Sequence, residues 1–111
     1  MNVRDVLQRC SHLKIEEKND ISKDYAERVF LKEDFQEWEK VLTDLLGPAV
    51  KRAGEKTTQA FSQLTIDYGG LLDDQILYYK QFKDTSLIAM FWPWKDNNQV
   101  TLKIACIKKQ T

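Results

Sequence analysis

The chain has 111 residues, a length suited to a single hydrophobic core. Its 42% hydrophobic and 31% charged content fits a globular protein and excludes a disordered one. Seventeen basic and seventeen acidic side chains cancel, which excludes a strong global field drawing the protein to nucleic acid or to a membrane surface.

Asn2 is placed to cap a first short helix, with Val3, Val6, Leu7 and Cys10 on one face at helical spacing. A polar stretch from Ser11 to Asp20 follows, anchored by Leu13 and Ile15. Asn19 or Asp20 is expected to cap a second helix whose inner face carries Ile21, Tyr25, Val29 and Phe30. Lys23 with Glu27, and Asp24 with Arg28, then fall four residues apart on its solvent side. The strongest helical stripe is Phe35, Trp38, Leu42, Leu45 and Leu46, with Asp34 and Glu37 as the two halves of a capping box. Gly47-Pro48 should stop it, because proline lacks an amide donor and restricts its neighbour. Ala49, Val50 and Ala53 suggest one or two further turns before Gly54.

Residues 55–68 carry both a helical spacing (Phe61, Leu64, Tyr68) and a strand-like alternation (Leu64, Ile66, Tyr68). Helix is the favoured reading, with Gly69-Gly70 as its C-terminal cap. Beyond Gly70 the pattern turns to strand. Gln75 to Phe82, Leu87 to Trp92 and Val100 to Cys106 are separated by turn clusters at Lys83-Asp84-Thr85-Ser86 and Lys95-Asp96-Asn97-Asn98. Pro93 cannot donate to a ladder and should end the middle strand. The fold expected is therefore α+β. Three to four N-terminal helices (residues 1–69) pack on a C-terminal three-stranded antiparallel meander (residues 74–108), a two-layer sandwich forming one domain over 1–111.

No apolar run approaches the roughly 18 residues of a membrane helix. The charged start Met1-Asn2-Val3-Arg4-Asp5 lacks the apolar region of a signal peptide, so a cytoplasmic protein is expected. In that reducing compartment Cys10 and Cys106 read as small buried hydrophobes rather than a disulfide. Two distant cysteines and one histidine give no metal pattern, and neither the P-loop nor the dinucleotide fingerprint is present, so no cofactor is expected.

Catalytic chemistry has little to stand on. His12 would have to serve any Ser-His or Cys-His arrangement. Its neighbour Ser11 and nearby Cys10 supply no triad geometry, and Cys10 and His12 would point about 200° apart on a helix. Asp73 and Asp74, with Asp67 nearby, form the one local carboxylate cluster. Adjacent aspartates before a strand read as a solvated turn. No catalytic residue is assigned.

The segment that stands out is Phe91-Trp92-Pro93-Trp94, holding two of the three tryptophans, with Tyr78 and Tyr79 on the neighbouring strand. On a strand alternate side chains face opposite sides, so Leu87, Ala89 and Phe91 should share one face and Ile88, Met90, Trp92 and Trp94 the other. One reading packs Trp92 or Trp94 on the helix around Trp38. The functional reading is a binding face made by Trp92, Trp94, Tyr79, Tyr78, Lys95 and Lys103, used by a non-enzymatic accessory protein for a protein partner or a second copy of itself. The alternative is a small apolar-ligand binder, or a minor enzyme, with a cleft between helices and sheet whose polar groups are Asp67, Asp73, Tyr68 and Tyr78. A third reading, single-stranded nucleic acid stacking on the tryptophans within a rim of Lys95, Lys103, Lys108 and Lys109, is opposed by the neutral charge. Residues 1–46 carry a net charge of −3 and residues 85–111 a net of +3, too small a difference to name a partner. The terminal Lys108-Lys109-Gln110-Thr111 reads as a solubilising end.

Overall fold

A computed structural model describes residues 1–96 and 98–108. Asn97 of the expected second turn, and Lys109, Gln110 and Thr111 of the expected terminal segment, lie outside the described residues. The elements run α1 (Val3–Arg9), β1 (Glu17–Ser22), β2 (Tyr25–Leu31), α2 (Phe35–Leu46), α3 (Gln59–Thr65), β3 (Ile76–Gln81), β4 (Thr85–Pro93) and β5 (Gln99–Lys108), with single 3-10 turns before α2 and after α3. All five strands join one antiparallel sheet in the order β1-β2-β5-β4-β3.

The fold is thus α+β, but not a helical layer followed by a three-stranded meander. The meander exists as β3-β4-β5, and β2 docks on its open β5 edge, with β1 outside β2. The segment read as a second helix is this β1–β2 hairpin. Ser22-Lys23-Asp24 is its turn, held by Asp24 N donating to Ser22 Oγ at 3.1 Å. Tyr25 to Leu31 then pairs with Ala105 to Gln99. Of the charges expected to pair along a helix, Arg28 pairs across the hairpin instead, reaching Asp20 at 2.6 Å, which holds the Asp20 carboxyl below its ordinary range.

Three α-helices cover the sheet, and they do so from both sides. Val3 and Val6 of α1 and Trp38, Leu42, Leu45 and Leu46 of α2 bury one face, against Phe30, Tyr78, Leu87, Ala89, Phe91, Leu102 and Ile104. On the other face Phe61 and Leu64 of α3, followed by Tyr68 and Leu71, cover Leu77, Ile88 and Met90. The expected alternation along β4 is observed, and β4 is buried on both faces.

The local signals at the ends of α1 and α3 behave as their chemistry dictates. Asn2 caps α1 in a full capping box with Asp5, and Thr58 caps α3 by accepting from Phe61 N at 3.1 Å. Asp34 makes no side-chain cap on α2. The preceding 3-10 turn leaves it at φ −95°, ψ 5° rather than in the extended conformation a cap needs. Gly47 ends α2 at φ 83°, and the further helical turns expected over Ala49 to Ala53 do not form. Lys51 instead forms an isolated bridge to Leu77 on the outer edge of β3. No helix among the described residues is long and apolar enough to cross a membrane.

Candidate functional site

The aromatic end of β4 delivers its side chains to both faces of the sheet. Phe91 belongs to the α2 side and is 1% exposed, whereas Trp92 belongs to the α3 side and is half-buried. Trp94 lies just past Pro93, the last residue of the strand, and is 38% exposed. Its amide donates to Gln99 O at 2.9 Å and its indole Nε1 to Thr101 Oγ1 at 2.7 Å, which fixes the ring over the start of β5.

Trp92 is packed more tightly than an open stacking platform would be. The Lys103 ammonium sits 3.4 Å from the centroid of its ring and donates to Tyr68 O at 2.8 Å. Gly69, at φ 101° after the α3 turn, brings bare backbone against the same pair. A Cβ there would stand 2.8 Å from both Lys103 Nζ and the Trp92 ring. This glycine is required twice, by its left-handed conformation and by the close approach. Burial pulls the Lys103 ammonium below its ordinary range, with the Glu27 carboxylate opposing that shift. Glu27 is directly opposite Lys103 in the β2–β5 register and accepts from Tyr25 O–H. Tyr25 in turn stacks on Tyr68 at 5.2 Å, and burial raises both phenols.

The six residues expected to form one binding face are therefore distributed. Trp92, Lys103 and Trp94 gather at the β4–β5 end, and Lys95 is exposed beyond them. Tyr78 is wholly buried on the opposite face, within hydrogen-bond reach (3.2 Å) of Thr43 Oγ1. Tyr79 shares the Trp92 face but lies on the outer strand β3, its hydroxyl 3.3 Å from Ser86 Oγ. The packing of Trp92 or Trp94 around Trp38 does not occur: Trp38 lies across the sheet, stacked on Phe30 at 4.7 Å. Tyr25, Glu27, Tyr68 and Gly69 complete the cluster and were not expected there. Gly69 left a signal in the sequence as a helix terminator, and Tyr68 as part of the 55–68 pattern and as a polar group of the alternative cleft.

The residues weighed for chemistry do not converge. His12 is exposed and Cys10 buried, and burial pushes the Cys10 thiol up to about 11, away from nucleophilic use. Asp67, Asp73 and Asp74 are exposed. Among the described residues no group of three His, Cys, Asp or Glu side chains could hold a metal ion. Comparison of the chain with protein-family models, with curated proteins and with solved structures finds no match.

Proposed function

We propose that the protein is a small non-enzymatic binding protein that engages a protein partner through Trp94 and the Trp92–Lys103 pair beside it. The observation carrying this reading is the exposure of Trp94, 38%, on a ring held in place by its bond to Thr101. A rigid aromatic that keeps apolar area in water is the kind of residue that anchors interfaces. Lys95 is exposed next to Trp94, so the surface recognised is an apolar patch with an acidic group at its rim, on another protein or on a second copy. A nucleic-acid role is disfavoured, because Lys103, one of the four lysines of the expected rim, already covers a face of the Trp92 ring on which a base would stack. We place the protein in a reducing cytoplasm, a reading supported by Cys10 and Cys106 both being free thiols.

Sedimentation equilibrium over a wide concentration range, with parallel capture from lysate, tests the proposal. The wild type is expected to show mass above the monomer or to retain a partner. Trp94→Ala should weaken that association tenfold or so while leaving the thermal melt unchanged. A monomer at every concentration that retains no partner would overturn the reading, as would association that survives Trp94→Ala undiminished.

A further inference from the structure

On the α2 side of the sheet, away from Trp92 and Trp94, lies an open cleft with a volume of about 390 Å³, its surface offered by Pro93 and Phe35 and its floor set by the nearly buried Phe91, Ile76 and Val100. This volume lies in the range of small-molecule sites, roughly 300–1,000 Å³. Its floor is firm. Phe91 meets Phe35 edge-on at 4.8 Å and Tyr78 edge-on at 5.9 Å, so the ring cannot tilt without displacing both.

The far wall is set by two loops, one carrying Ala53 and the other Asp74. A buried lysine ties them together. Lys51 is 2% exposed, and its ammonium donates to Arg52 O at 3.2 Å, Asp73 O at 2.9 Å and Gln75 O at 2.6 Å. Gly54 N adds a bond to Asp73 O at 2.8 Å. Three ammonium protons on three main-chain carbonyls leave nothing over for a ligand, so Lys51 is a positioning residue for the wall. The cleft is thereby preformed, which spares a ligand the cost of ordering it.

Charge at the mouth selects among ligands. Glu33 and Asp74 contribute two exposed carboxylates, and Lys32 one ammonium, leaving a net of −1. Glu33, Asp34 and Glu37 also offset the positive end of α2 that opens onto the cleft. The geometry points to a binding site for a small aromatic amine, its apolar body against Pro93 and Phe35 and its ammonium against the carboxylates of Asp74 and Glu33. This site is separate from the Trp94 surface and does not depend on it.

Titration of the 15N-labelled protein with tryptamine, and separately with indole-3-acetate, tests the inference. Tryptamine is expected to give saturable amide shifts centred on Gln36, Ala53, Asp74 and Ile76, and indole-3-acetate to bind about fivefold more weakly or worse. Ala53→Phe, at an exposed position on the wall, should abolish tryptamine binding. Asp74→Asn should weaken it about two- to fivefold without weakening indole-3-acetate. Trp94→Ala should leave it unchanged, which separates this site from the proposed protein-binding surface. The inference is overturned by the absence of saturable shifts up to about 1 mM tryptamine, by equal or tighter binding of the acid, or by shifts centred on Trp92 and Trp94.

Discussion

Lys51 is buried, and its ammonium donates to three main-chain carbonyls. Burying an ammonium is costly unless every proton is satisfied, and here the three carbonyls satisfy them while the ammonium satisfies the carbonyls. Lys51→Met keeps most of the apolar stem but takes from Gln75 O its ammonium donor, while Asp73 O keeps Gly54 N and Arg52 O keeps Glu55 N. The expected loss is about 1–3 kcal/mol of folding stability, read as a lower urea midpoint at unchanged slope. A midpoint equal to the wild type's would mean that water replaces the ammonium at no cost. Nothing in Ala49-Val50-Lys51-Arg52-Ala53 marks this residue, because the partners that bury it lie 22 and 24 residues away. The same holds for Glu27, whose register opposite Lys103 exists only once β2 has docked on β5. Trp94 was legible only in its place along the chain, beyond a strand-ending proline; the sequence left open which way its ring faces.

At the scale of elements, legibility followed how cleanly one face of a segment is buried. The α2 stripe and the alternation of β5 were readable because each element carries its apolar residues mainly on one side, Val100, Leu102, Ile104 and Cys106 in the case of β5. β1 has no dry side, with all six residues exposed, so it carries no period to detect. β2 is covered on both faces, Ala26 and Phe30 on one and Tyr25 on the other, and its apolar residues fell by chance at helical spacing. The short helix α3 survived an ambiguous pattern because Thr58 supplies a cap. That cap can be weighed by experiment. Thr58→Ala should cost about 1 kcal/mol of stability. It should also raise acrylamide quenching of Trp92, because the turn that follows α3 places Tyr68 and Gly69 against Lys103 and Trp92. Unchanged quenching with the stability lost would mean that this turn is held from the sheet side alone.

Across the whole molecule the radius of gyration, 13.1 Å, agrees with the roughly 13 Å expected of one folded domain of this length, so the two faces of the sheet belong to one body. Stability within that body is not uniform. β4 and β5 are each paired on both edges and covered on both faces, whereas β1 is paired on one edge and covered on neither. Opening β1 exposes little apolar surface. Opening β4 exposes Leu87, Ile88, Ala89, Met90 and Phe91 at once, which amounts to unfolding the protein. Native-state hydrogen exchange should therefore sort the strands. Amides of Ile88 to Phe91 and Leu102 to Ile104 should exchange only through global unfolding, with a denaturant dependence equal to the global slope. Amides in Glu17 to Ser22 should exchange through local opening that is nearly independent of denaturant. Equal protection in β1 and β5 would show that the hairpin opens only with the rest of the sheet, and that the molecule's outer strand is held by more than its pairing to β2.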